Sequence, residues 1–236
     1  MKFIVIGLGN FGSSLSHRLT SLGHEVIGVD SNLEHAEKYK NQITHTLALD
    51  ATNPEAIKQL PMKDVDAVIV GIGEDEGAVI MTAALLIQMK VKRIICRVTS
   101  PLQKMVLETM NITEFVYPES SSAERLAFKL DLPGVINSFQ VTEDYRLLEV
   151  AVPSRYIGSR VSELDLGNRY ELVLVTIMKD VMEKNIFGND KKAHKVMGVV
   201  SPETVLVEGD MLLLFGARLI WNHLLNRRLN CLEFRV

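Results

Sequence analysis

Residues 1–30 read MKFIVIGLGNFGSSLSHRLTSLGHEVIGVD, and this stretch decides the fold. Lys2–Ile6 is a short apolar, β-rich run that breaks directly into Gly7-Leu8-Gly9-Asn10-Phe11-Gly12. A helical pattern follows, with Leu15, Leu19 and Leu22 on one side and Ser13, Ser16 and Arg18 on the other, and it stops at Gly23. A second β-rich run, Glu25–Val29, ends in Asp30. Strand, glycine turn, helix, strand and acid together form the context in which a GxGxxG match carries meaning.

Each position in this unit has a physical task. Gly7 allows the tight exit from the strand, Gly9 lets backbone approach a phosphate, and Gly12 lets the helix pack closely on the strand. The amides of Asn10, Phe11 and Gly12 point toward an anion, helped by the helix dipole. Asp30, at the tip of the next strand, can accept hydrogen bonds from two ribose hydroxyls, with Ser31 and Asn32 beside it.

Outward from this unit, strand and helix keep alternating. The pattern predicts helices at 32–40, 53–60, 76–90, 101–110 and 120–130, and strands at 44–49, 66–71, 93–98 and 114–117. Asn32 and Asn53 read as helix caps, and Pro54 and Pro101 suit a first helical turn. Ala67–Val70 and Arg93–Cys96 are apolar on both faces, as in a parallel sheet covered by helices on each side. The expected fold is α/β, a Rossmann-like, doubly wound, parallel six-stranded sheet with a ligand at its carboxyl edge.

Asp131-Leu132-Pro133-Gly134 ends the alternation, so the domain boundary is placed at 133/134. Residues 134–236 then read as a connector and a small α+β domain. Its expected strands are 147–152, 172–178, 204–207 and 211–215. A short helix over 161–166 closes at Gly167, a solvated hairpin loop spans 179–195, and a last helix begins at about 217.

The 236 residues carry a net charge of −3. Residues 1–135 hold 13 basic and 16 acidic side chains and the remainder 13 of each, too balanced for a nucleic-acid surface. The lysines within 179–195 read as solvated. Cys96 and Cys231 are far apart in sequence without metal-like spacing, which suits structural thiols in a reducing cytoplasm. No apolar run nears the ~20 residues needed to span a bilayer. A core strand starting at residue 2 leaves no room for a secretion signal, so a cytoplasmic location without membrane insertion is expected.

Further candidates sit at the other strand ends. Asp50, followed by Ala51 and Thr52, can reach an adenine amino group or cap the next helix. Gly71-Ile72-Gly73 lets a ribose or adenine lie against backbone. Glu74, Asp75 and Glu76 suit either a helix dipole or a metal, and the dipole is favoured. Arg97 can reach phosphates or pair with a nearby acid, and Glu119 opens the last helix of the domain. The six histidines pair with no Cys or Ser nucleophile, and HExxH, GxSxG and CxxC are absent, so no catalytic constellation is legible.

Taken in order, several segments resemble the RCK proteins (regulators of potassium conductance), specifically the cytosolic regulatory subunits of bacterial Trk/Ktr potassium-uptake systems. They are Ile4–Gly12, Gly23–Val26, Val29-Asp30, Asp50–Thr52, Val70–Gly73, Ser100-Pro101 and Val116–Glu119. Val161–Asp165, Pro202–Val205 and Glu208–Asp210 match the carboxy-terminal module of that family. The resemblance implies a regulator and not an enzyme. It would bind adenine nucleotides (ATP/ADP or NAD(H)), form a homodimer that assembles into an octameric ring, and dock under a membrane-embedded potassium channel subunit. Carried over, Gly7, Gly9, Asn10 and Gly12 face phosphates, Asp30 faces the ribose, Arg97 lies near the phosphates, and Glu119 would hold Mg²⁺ or Ca²⁺ at the dimer interface. Asn10 departs from the pattern, because many ATP-responsive relatives have a basic residue there. An NAD-dependent oxidoreductase and a free-standing nucleotide sensor are the alternatives.

Overall fold

The computed structural model describes residues 1–132, 134–184 and 190–217, without the side chains of 182–184 and 190–193. The helix expected from about 217, His223 and Cys231 lie outside the described residues. Packing divides the chain into two compact units, residues 1–120 and the part from 121 onward.

The first unit contains β1 (Lys2–Ile6), α1 (Asn10–Ser21), β2 (Glu25–Asp30), α2 (Leu33–Tyr39), β3 (His45–Ala48), α3 (Pro54–Ile57) and β4 (Ala67–Val70). It continues with α4 (Glu76–Gln88), β5 (Ile94–Arg97), α5 (Pro101–Thr109), β6 (Glu114–Val116) and the start of α6 (Pro118–Asp131). The strands form one parallel sheet in the order β3-β2-β1-β4-β5-β6, as the alternation predicts for a doubly wound fold. Period-two side chains divide between the two faces. Ile4, Ile6, Val68 and Val70 join Val79, Ala83 and Leu86 of α4 and Leu107 of α5 on one side. Phe3, Val5, Ala67 and Ile69 meet Leu15 and Leu19 of α1 on the other. Each such aliphatic side chain stabilises the sheet by about 1.5–3 kcal/mol when fully buried. Cys96 is fully buried in β5, and burial pushes its thiol up to about 12, so it stays protonated and unreactive.

Among the described residues, the second unit holds a five-stranded antiparallel sheet in the order β10-β9-β11-β8-β7. Its strands are β7 (Val135–Gln140), β8 (Tyr145–Ala151), β9 (Val173–Lys184), β10 (Asp190–Val196) and β11 (Met211–Ala217). Short helices α7 (Val161–Leu164) and α8 (Leu166–Tyr170) precede β9. Leu148, Val150, Ile177, Leu212 and Leu214 form the core with Phe128 and Leu132 of α6. Those two α6 side chains are why the division falls at 120/121, inside α6, and not at its end.

Four sequence expectations for this unit need correction. The connector after Gly134 is a strand, β7, whose polar Asn137, Ser138 and Gln140 hide a pairing supplied by β8. Residues 179–184 and 190–195 are strand and not loop: β9 and β10 pair residue by residue from Met178–Val196 out to Lys184–Asp190. Thr204–Val207 is not a strand and makes one bridge, Val205 to Arg160. Its alternation reflects a single anchor, because Leu206 is fully buried between exposed Val205 and Val207. Gly167 does not close a helix but lies within α8, and the break falls at Asp165 in the left-handed region, φ 45°.

Arg146 is buried in β8, where it pairs with Glu124, donates to the Ser138 hydroxyl at 3.2 Å and lies 4.6 Å from the Phe128 ring centroid. Glu124 and Phe128 both belong to α6, so one guanidinium ties that helix to the sheet. Arg146→Met keeps the apolar stem and removes the fork. It is expected to lower unfolding stability by about 1–2 kcal/mol in urea, well under a stranded buried charge, because Glu124 is half exposed.

Candidate nucleotide-binding site

A cleft of about 630 Å³ opens at the carboxyl edge of the parallel sheet. Of the candidates read from sequence, it gathers Gly7, Gly9, Asn10, Phe11, Asp30, Ser31, Asn32, Asp50, Ala51, Thr52, Gly71, Ile72, Gly73, Arg97 and Glu119. Gly12 does not line it. It sits behind the loop, where an added Cβ would stand 1.8 Å from the Gly7 carbonyl oxygen. The turn is made possible by Gly7 at φ +93° and is pinned from both neighbouring strands. The Gly7 amide donates to Val29 O at 2.7 Å and the Gly71 amide to Ile6 O at 2.7 Å.

Helix α1 opens from Gly9 with no side-chain cap and no acid in its first turn. By contrast α2, α3, α4 and α5 are capped by Asn32, Asn53, Asp75 and Ser100. The first amides of α1 therefore lack the partner that a helix start requires, and they open on the cleft beside Asn10 and Phe11. That arrangement fits an anion.

Asp30 is more committed than sequence suggests. Its carboxylate accepts from the Leu8 amide at 2.6 Å and the Asn32 amide at 2.8 Å, and stands 3.3 Å from His35 Nδ1. A carboxylate offers about four acceptor positions, so a ribose diol would share with His35, the longest of the three contacts. His35 lines the cleft and was missed in sequence. Its signal was a position in the first turn of α2, five residues beyond Asp30.

Asp50 accepts from both the Thr52 hydroxyl (2.7 Å) and the Thr52 amide (2.9 Å), which hold its carboxyl below the usual range and keep it ionised. Asn53 caps α3, so Asp50 is not needed for that task. The acid run divides likewise: Asp75 caps α4 through Ala78 N at 2.9 Å, and Glu76 accepts from the Thr99 hydroxyl at 3.1 Å.

Arg97 and Glu119, read separately in sequence, form an ion pair. The Arg97 side chain is 15% exposed and reaches Gly71 O at 3.4 Å. It lies so close over Gly73 that a Cβ there would meet Nη1 at 2.2 Å, and it is 6.0 Å from the Phe11 ring centroid. Among the described residues no three His, Cys, Asp or Glu side chains converge as metal ligands. Glu119, the residue read from sequence as a candidate for a divalent cation, has its carboxylate on Arg97.

Fold and cleft together define a Rossmann-type ligand-binding domain carried with a separate antiparallel β unit. Residues 3–118 match the TrkA-N domain family. The chain is 30% identical over 178 residues to Ktr system potassium uptake protein C of Bacillus subtilis (strain 168), covering 75% of this chain and 80% of that protein. It is 26% identical over 215 residues to Ktr system potassium uptake protein A of the same organism, covering 91% of each. Among solved structures, the GsuK RCK domain superposes with a TM-score of 0.61 at 16% identity, over 94% of this chain and 46% of the longer one. The chain thus belongs to the family of the Ktr potassium-uptake proteins and carries a TrkA-N domain over residues 3–118.

Proposed function

We propose that this chain is the nucleotide-sensing regulatory subunit of a potassium uptake system, one that binds an adenine nucleotide and turns nothing over. The observation that carries this is the cleft itself. An uncapped α1 opens on it, with Asp30 across the glycine turn, where it would meet a ribose, and Asp50 beyond it, where it would meet an adenine. Membership of a family of potassium-uptake proteins supplies the context. Gly7, Gly9, Asn10 and Phe11 would hold the phosphates and Asp30 the ribose. The subunit would work in the cytoplasm against a membrane-embedded channel subunit. Among the described residues no helix is long and apolar enough to cross a membrane. A thermal-shift panel of ATP, ADP, AMP, NAD and NADH, with and without Mg²⁺, tests the reading. A rise in Tm with at least one of them is expected, since a ligand at 100 times its Kd stabilises by about 2.7 kcal/mol.

The finer proposal is a homodimer that assembles into an octameric ring. Leu126 and Leu130 on α6 are 58% and 75% exposed, and Ala127 beside them is also exposed, which suits a face covered by a second copy. Light scattering at micromolar concentration should give a dimer or larger species, and Leu126→Glu with Leu130→Glu should shift it toward monomer. A strictly monomeric wild-type chain removes the ring.

A further inference from the structure

We propose that the outer face of the antiparallel sheet is a docking surface for the chain's own residues 218–236, which lie over it as an amphipathic helix. The inner face of that sheet is closed by Phe128 and Leu132 of α6 and by Leu164, Leu166 and Leu206. When an antiparallel sheet leaves its other face to water, the side chains there alternate to polar. Here the outward positions hold Phe139 on β7, Tyr145 and Leu147 on β8, Leu213 and Phe215 on β11, and Val173 on β9. Phe139, Leu147, Phe215 and Val173 stand opposite one another across four adjacent strands, and the Tyr145 ring stacks on that of Phe215 at 5.5 Å. Phe139 is 53% and Val173 57% exposed. A contiguous apolar strip of this kind marks a surface with a partner.

The chain carries a partner at the right place. β11 is the middle strand of the sheet, and its last residue, Ala217, pairs with Tyr145 at the end where the two rings stack. Residues 218–236, outside the described part, follow directly. In their sequence Ile220, Trp221, Leu224, Leu225, Leu229 and Leu232 recur at helical spacing, and Asn222, His223, Asn226, Arg227 and Asn230 fall on the opposite arc. Nineteen residues of helix reach about 28 Å, against about 24 Å for the seven residues of β11. A helix that turns back after Ala217 therefore spans the outer face, and the filled inner face leaves it no other side of the sheet.

Charge sets the same register. Between Ile220 and Leu232 one ionised side chain falls inside the apolar arc, Arg228. The acid of the outer face is Glu149, which accepts from Asn137 Nδ2 at 2.6 Å and pairs in register with Leu213. Leu213 lies four residues before Ala217, about 14 Å back from the turn. Arg228, nine residues into a helix that starts near 219, stands at about the same depth. Trp221 then falls over Tyr145 and Phe215.

Trp221 is the only tryptophan of the sequence, so its fluorescence reads this segment in the full chain. In wild type the emission should be blue-shifted, shielded from acrylamide and unchanged on dilution through the micromolar range. Val173→Glu with Phe139→Glu, both at exposed positions, should shift the emission to that of a hydrated indole and remove the shielding. Melting curves by circular dichroism establish that the sheet still folds. Leu224→Glu with Leu225→Glu should give the same red shift without touching the sheet, and the two pairs combined should add nothing further. Glu149→Arg should loosen the segment, and Arg228→Glu in the same chain should restore it. A wild-type Trp221 that is already hydrated overturns the proposal and leaves the face to another protein. A blue shift that vanishes on dilution also overturns it and gives the face to a second copy. So does a blue shift that survives both pairs, because Trp221 is then buried elsewhere. A charge swap without rescue overturns the register.

Discussion

Gly12→Ala is expected to destabilise the amino-terminal unit by about 3 kcal/mol or more, a loss of roughly 10 °C in Tm. In an ordinary helix interior the same change stabilises by up to about 1 kcal/mol, so the sign itself is the test. The added methyl would stand 1.8 Å from the Gly7 carbonyl oxygen and 3.0 Å from its carbon. Both are backbone atoms and cannot rotate aside. The loop cannot retreat either, because Gly7 is bonded to β2 through Val29 and Gly71 ties the neighbouring turn to β1. Helix α1 would have to lift off the sheet and uncover Phe3 and Val5. Gly9→Ala is the matched contrast. Nothing lies within 4 Å of its added Cβ, and its φ of −62° suits any residue. That variant should melt within a degree or two of wild type yet lose at least about tenfold in nucleotide affinity, because the methyl blocks close approach to the phosphate. Scanning calorimetry and titration of both variants read the two effects apart. A Gly12→Ala chain as stable as wild type would refute the packing argument. Unchanged binding by Gly9→Ala would move the phosphates off the loop.

The first unit was legible in sequence because its signals are local. A parallel strand buried on both faces reads as an apolar run, and β4 shows it with four consecutive buried residues. Caps at Asn32, Asn53, Asp75 and Ser100 mark helix starts within three residues of the groups they serve. The second unit was less legible because its strands are defined by partners far along the chain. β7 carries three polar residues in six and is a strand only because β8 pairs with it. Within the cleft, sequence named nearly every residue supplied by a strand end, since topology alone brings those ends to one edge. Pairings between elements stayed hidden. Neither the spacing of Arg97 and Glu119 nor that of Asp30 and Leu8 says that the side chain of one would be used by the other.

That second pairing shapes the outcome for Asp30→Ala, which is expected to weaken NAD binding by about 1.5–3 kcal/mol through loss of a charged acceptor for the ribose hydroxyls. The same carboxylate holds the Leu8 and Asn32 amides, so the variant also loosens the glycine turn and should lose about 1 kcal/mol or more of stability. A drop in affinity alone could then report loop damage in place of lost ribose contacts. The 2′-phosphate separates them. In wild type the Asp30 carboxylate, 12% exposed at the strand tip, should repel the 2′-phosphate of NADP, so NADP binds more weakly than NAD. Loop damage weakens both ligands alike and leaves their ratio where it was. Removing a carboxylate that faces the ribose weakens NAD but relieves NADP, so the ratio should contract by about tenfold. Asp30→Asn, which keeps one oxygen acceptor for a loop amide, should recover part of the lost stability while still contracting the ratio. Calorimetry with NAD and NADP on the three proteins decides it: an unchanged ratio places the ribose away from Asp30, whatever happens to the absolute affinities.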